Sequence, residues 1–196
     1  MEYDDDSDPF FDESSSSEAS LGEDEEWLAD LQRIKEDNPR TTKLSGRGEY
    51  NYIQNMTDEE WEEIGSDIAN NHHLEFLYIC DGALNDHKLS CLFRSMTRSN
   101  TIKYMQLCDN RLSVAGVRSI APFLQNSQLT HLYLDNNNIK SEGFILLFRA
   151  LRDSRIITLR QRLNGAITQC PKQFVKPFRL HIIVVESRRD SISLAI

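Results

Sequence analysis

Three stretches in the middle of this chain, starting at Leu74, Ile102 and Leu129, superpose on one another at a nearly constant interval, and no other feature of the sequence constrains the fold as strongly. The first carries Leu74, Leu77, Ile79, Leu84, Leu92 and Met96. The second carries Ile102, Met105, Leu107, Leu112, Ile120 and Leu124, and the third Leu129, Leu132, Leu134, Ile139, Leu147 and Leu151. Within each stretch the early apolar residues fall two apart, as on one face of a strand, and the late ones four apart, as on one face of a helix. Each unit is therefore one short strand, a turn and one amphipathic helix. A unit of this size cannot bury its apolar face alone, so the units must stack on one another.

Asn110 and Gly116 in the second unit, and Asn137 and Gly143 in the third, complete the pattern LxxLxLxxNxLxxxGxxxLxxxL. Over residues 50 to 155 this resembles the ribonuclease-inhibitor-like class of leucine-rich repeats. The resemblance implies an α/β fold, a short right-handed solenoid with a parallel sheet on its concave side and helices on its convex side. Leu77, Ile79, Met105, Leu107, Leu132 and Leu134 would then point inward. It also implies that Asn110 and Asn137 form a ladder satisfying backbone groups in the turns, and that Gly116 and Gly143 let neighbouring units approach. Ser113 and Ser141 are the expected helix N-caps. The first unit departs from the pattern, with Gly82 at the asparagine offset and Lys88 at the glycine offset.

A half-unit precedes the three. Met56, Ile64 and Ile68 sit one repeat length before Leu84, Leu92 and Met96, and Thr57 with Glu60 forms a capping box that starts the helix. The outward residues Glu59, Glu62, Glu63 and Asp67 suit a cap exposed on one side, and its strand is placed within Tyr50 to Ile53. The sequence divides into residues 1 to 42, an acidic tail; 43 to 73, this cap; the repeats 74–101, 102–128 and 129–155; and 156 to 196, a divergent basic segment. Acids outnumber bases by 15 to 3 in residues 1–40, which hold the run Ser14 to Ser17 and few aliphatic residues. Such a stretch is expected to be mostly disordered. Its exception is Trp27, Leu31 and Ile34, at helical spacing, which would dock on the chain's own domain or on a partner, or form only a transient helix without function. Ser15 and Ser20 each have a glutamate at the third position after them, as acidophilic kinases prefer.

At the other end the register is expected to fail after Ser154. Ile156 and Leu159 would open a fourth strand and Asn164 falls at the asparagine offset, but Pro171 and Pro177 follow, and Phe178 to Glu186 reads as strand. The segment is either a divergent cap or sequence that does not descend from a repeat, as a shifted reading frame or unspliced intron in a gene model would produce.

Catalytic and cofactor signatures are missing: there is no GxSxG, Gly-rich phosphate loop, HExxH or EF-hand loop, so no catalytic, cofactor or metal residues are assigned. His72 and His73 read as a solvated turn. Cys80 and Cys108 share one offset, about 4.8 Å apart on adjacent strands, where a soft metal or oxidation could link them, although Asp135 at that offset in the third unit favours a structural role. The expected binding surface is the concave face, with Phe76, Tyr78, Tyr104, Gln106, His131 and Tyr133 beside an acidic rim of Asp109 and Asp135. The function expected is a non-catalytic protein-binding module or scaffold. Ran GTPase-activating proteins are built from repeats of this class and carry an acidic segment, which gives a regulator of a small GTPase as the alternative; a gene fragment without function is a third reading. A net charge of -9 argues against nucleic acid as partner. No apolar stretch is long enough to span a bilayer and the first residues lack a signal peptide's positive charge, so cytoplasm or nucleus is the expected location.

Overall fold

The structure is a computed structural model that describes residues 22–152, 154–156, 158–160 and 181–183. The expectations placed on Ser15, Ser20, Asn164, Pro171 and Pro177, and on most of the acidic and basic ends, lie outside the described residues. In chain order the elements are α1 (Glu23–Lys35), β1 (Lys43–Arg47), α2 (Asn51–Asn55), α3 (Asp58–Asn70), β2 (Phe76–Cys80), α4 (Asp86–Met96), β3 (Tyr104–Gln106), α5 (Val114–Asn126), β4 (His131–Tyr133), α6 (Ser141–Leu151), β5 (Thr158–Arg160) and β6 (His181–Ile183). The six described strands form one parallel sheet in sequence order. Helices α3 to α6 pack side by side in the same order.

The sheet register follows the repeat. Leu77, Met105, Leu132 and Leu159 pair in one row across four strands, and the first three are fully buried beneath the helices. Burying each such side chain stabilises the fold by about 1.5–3 kcal/mol. Asn110 and Asn137 bind as a ladder. Asn110 accepts from the Leu84 amide at 2.9 Å and donates to the Ile79 carbonyl at 2.8 Å, while Asn137 accepts from Leu112 at 3.1 Å and donates to Leu107 at 2.7 Å. Each asparagine thus satisfies the turn of the unit before its own.

Helix starts are shared between units in a similar way. Ser113 caps α5 through the Ala115 amide, and Asp86 of the preceding unit accepts from the Ser113 amide at 2.8 Å and the Gly116 amide at 2.9 Å. A Cβ on Gly116 would sit 2.5 Å from that carboxylate oxygen, so glycine is what lets Asp86 reach the helix end. Ser141 is not a cap: Lys140 holds that position, with no side-chain bond, and Ser141 is the first helical residue.

The N-terminal end differs most from expectation. Disorder does not extend to residue 42, because α1 packs against α2, α3 and β1 with Trp27 only 1% exposed and Ile34 buried. The first strand is Lys43–Arg47, not the Tyr50 to Ile53 stretch, which belongs mostly to α2. Gly46 explains both findings: a Cβ there would lie 2.6 Å from the Trp27 ring, so the strand carries a glycine where the indole is seated. The capping box of α3 forms as expected. Its acidic face is flanked rather than open, since Glu63 pairs with Lys35 of α1 at 2.6 Å and Glu62 pairs with Arg94 of α4. At the far end the register does not fail at Ser154: Ile156 and Leu159 are buried, and Leu159 pairs with Leu132 at the same sequence interval that separates Leu132 from Met105, so the repeat continues through Arg160. β6 falls inside the stretch read as strand.

Candidate protein-binding face

Successive side chains of a strand point to opposite faces, so burying Leu77, Met105 and Leu132 beneath the helices places their neighbours on the open face of the sheet. Two cross-strand rows result, Phe76–Tyr104–His131 and Tyr78–Gln106–Tyr133. A third row, beyond the ends of β3 and β4, holds Cys80, Cys108 and Asp135.

The first row is a continuous stack of half-buried rings. Phe76 and Tyr104 lie 4.7 Å apart, 12° from parallel, and Tyr104 and His131 lie 4.3 Å apart at 19°. The base of the stack is held by the Lys103–Glu75 ion pair at 2.5 Å. Thr130 donates its hydroxyl to the Lys103 carbonyl at 3.1 Å and contacts His131 Nδ1 at 2.8 Å. A hydroxyl has one proton to give, so His131 is the donor in that second bond. The neutral ring therefore carries its proton on Nδ1 and keeps Nε2 as an acceptor. Burial holds the His131 pKa below the usual histidine value.

The second row is more enclosed. The Arg47 guanidinium stands 6.0 Å from the centre of the Tyr78 ring and approaches Asp81 and Glu49 at 3.7 Å each. Burial, and then the Cys80 thiol, push the Tyr78 hydroxyl well above its ordinary range. The side-chain oxygen of Gln106 is buried with no hydrogen-bond partner among the described residues. Tyr133 is only 8% exposed and packs with Cys80 and Cys108 in a small cluster of its own.

In the third row the Cys80 thiol donates to the Gln106 carbonyl at 3.6 Å and the Cys108 thiol to Asp135 at 3.8 Å. The neighbouring Cys80 thiol, then burial and Asp135, hold Cys108 far above the ordinary thiol range, so it stays protonated. These are packing groups, in keeping with the structural role. Asp135 is 5% exposed, not on an open rim. Asp109 is exposed and accepts from Asn136 at 2.7 Å. Asp81, Asp109 and Asn136 share one repeat position, with φ of 58°, 53° and 54°, a left-handed turn that short polar side chains tolerate.

Of the eight residues expected to contact a partner, Phe76, Tyr78, Tyr104, Gln106 and His131 thus form one half-buried strip with exposed Asp109 beside it, while Tyr133 and Asp135 lie beneath the surface. Arg47 was missed because β1 carries no alternating apolar residues to announce it. His72 and His73 sit in a turn pinned by Asp37, which accepts from the His72 amide and contacts its Nδ1, each at 2.8 Å.

No protein-family model matches the sequence, and no curated protein matches it. In structure the chain is similar to the actin-binding site 2 of leiomodin-1, with a TM-score of 0.56 and 16% identity over 68% of this chain and 77% of that one. The likeness shows the fold: a parallel sheet with its helices side by side, of leucine-rich-repeat-like form.

Proposed function

We propose that this chain is a non-catalytic module, a short leucine-rich-repeat solenoid of the ribonuclease-inhibitor-like class, that binds a protein through the open face of its sheet. The observation that carries the reading is the Phe76–Tyr104–His131 stack. Rings already fixed in place lose little conformational freedom on contact, and rigid half-exposed aromatics are the anchors that dominate protein interfaces. The His131 Nε2 acceptor, the Gln106 side chain and the Asp109 carboxylate supply polar contacts beside the apolar strip. The module acts without a cofactor, in cytoplasm or nucleus; its net charge of -9 disfavours nucleic acid. Among the described residues no helix is long and apolar enough to cross a membrane.

Actin is the first partner to test, because the similar structure is a named actin-binding site. Full-length protein and its Tyr104→Ala variant are compared in actin co-sedimentation and in affinity capture from cell extract, each bound protein then being remade pure and titrated. A partner lost on Tyr104→Ala supports the reading. Partners bound equally by both proteins overturn this assignment of the face. GTP hydrolysis measured with a panel of small GTPases tests the regulator alternative in the same preparation.

A further inference from the structure

Away from the open face, the seam between α3 and α4 brings three different donor atoms together. A carboxylate oxygen of Asp58, an imidazole nitrogen of His87 and the thiol sulfur of Cys91 all lie within 4.8 Å of one another. Among the described residues no other three such donors converge as closely. The arrangement follows from the helices. His87 and Cys91 are four apart on α4 and so share one face, and the start of that helix is fixed by Asn85, which accepts from the His87 and Lys88 amides at 3.0 and 2.9 Å. Asp58 is the first residue of α3, whose start is fixed by the Thr57–Glu60 capping box.

The frame between the two helices is tight. Any Cβ at Gly65 of α3 would collide with the Leu92 carbonyl of α4, so the backbones touch, and Arg94 pairs with Glu62 across the seam. Cys91 forms the floor, 1% exposed, while the His87 and Asp58 side chains above it are 68% and 52% exposed and meet at 2.7 Å. The cluster is thus closed below and open to solvent above.

Nitrogen, sulfur and carboxylate oxygen form the donor set that borderline-soft zinc favours, and three protein ligands plus one open position is a common arrangement for that ion. Zinc bonds of about 2.0–2.3 Å put tetrahedral ligands roughly 3.3–3.8 Å apart. Reaching that size brings the widest donor pair inward by about 1 Å and opens the His87–Asp58 pair from 2.7 Å by about 0.6 Å, within reach of rotamer changes in the two exposed side chains. The charges around the cluster favour a dication, since the carboxylates of Asp58, Glu62 and Glu59 outnumber the Arg94 guanidinium there.

We propose that Asp58, His87 and Cys91 form a binding site for a divalent first-row transition-metal ion, zinc by its donor set, that ties α3 to α4. The test uses the full chain, reduced and freed of metal by a chelator, titrated with cobalt(II) and then with zinc(II). One equivalent of cobalt should produce an intense near-ultraviolet thiolate-to-metal band with tetrahedral visible bands, and zinc should abolish both. Cys91→Ala should remove the thiolate band. His87→Gln and Asp58→Asn, both exposed, should each weaken zinc by at least tenfold, since even outer-shell partners of metal ligands are worth about 10–100-fold. Because Cys91 faces the core, circular dichroism checks its variant, and His87→Gln carries the test if that variant does not fold. A His72→Gln/His73→Gln double variant should titrate like the parent. The proposal is overturned by absence of the thiolate band at one equivalent, by its persistence in folded Cys91→Ala, or by unchanged zinc affinity in His87→Gln.

Discussion

The two faces of the one sheet are built from the same strands in the same register, yet they differ in what holds them. On the helix side Leu77, Met105, Leu107, Leu132 and Leu134 are fully buried in a single continuous core. On the open side Phe76, Tyr104 and His131 stack ring on ring and keep part of their surface in water. A core residue gains from every neighbour in three dimensions, whereas a ring in a one-dimensional stack gains from two. Stability should therefore concentrate on one face and remain available for binding on the other. The comparison fails if substitutions on the two faces cost the same.

The largest loss should come from Trp27→Ala, which empties the pocket over Gly46 and frees α1 from β1. Removing a buried aromatic costs about 3–5 kcal/mol, and a urea titration reads it directly. A loss below about 1 kcal/mol would mean that α1 is a dispensable appendage rather than the end cap of the core. Leu107→Ala follows at about 2–5 kcal/mol, depending on how far the site collapses. Its effect on partner affinity should be confined to whatever fraction of the protein unfolds.

Asn110→Leu sharpens the comparison from the polar side. The substitution keeps bulk but strands the Leu84 amide and the Ile79 carbonyl, and an orphaned buried group costs about 1–3 kcal/mol. Amide hydrogen exchange should quicken at Leu84 in particular. An unchanged urea midpoint would show that the ladder is not holding the units together.

The same contrast between faces shows why some of the molecule could be read from sequence and some could not. The apolar positions of the three units were legible because a strand and a helix impose distinct periods on the same buried face, whereas Leu159 keeps that register one further repeat past Leu132, beyond Ser154 where the pattern was expected to fail. β1 was not, since Lys43–Arg47 offers only Leu44 as an apolar inward residue. Its second inward position is Gly46, whose reason lies across space in Trp27, and the short helix α2 stretches the pairing interval between Lys43 and Phe76 beyond the one that joins Phe76 to Tyr104. The open face was half legible: alternation gave the right face for Phe76, Tyr78, Tyr104, Gln106, His131 and Tyr133. It could not show that Tyr133 sinks against Cys80 and Cys108, because exposure there depends on the size of neighbours one and two strands away. Asp58, His87 and Cys91 gave no motif at all, being split between two helices whose packing alone brings them together.

Tyr104→Ala tests the open face itself. As the middle ring of the stack it should cost about 2 kcal/mol or more in partner affinity, as central aromatic anchors do. Each cross-strand contact it makes supports the fold by only about 0.2–1 kcal/mol. The ordering is thus the reverse of that for Leu107→Ala. Full affinity with a large drop in urea midpoint would make the stack a stabilising ladder and move the interface elsewhere.

The smallest effect, and the most specific to this face, is in pH. His131 is partly buried and its pKa lies below the ordinary histidine value, so the unfolded chain takes up a proton more readily than the folded one. Wherever the unfolded state binds more protons, stability rises with pH. The contribution of the neutral ring is therefore intact above about 6.5, the unfolded value, and is lost as pH falls from there toward the folded value. Protonation would also put charge on Nε2, the atom proposed to accept a bond from the partner, so affinity and stability should weaken together over the same window. His131→Phe keeps an aromatic ring in the stack but cannot titrate. Its urea midpoint should change less than the parent's between pH 7.5 and 5.5, since other groups titrate equally in both proteins. Equal slopes in the two would show that the imidazole is solvated like any surface histidine, and that the stack on the open face is looser than its ring spacings imply.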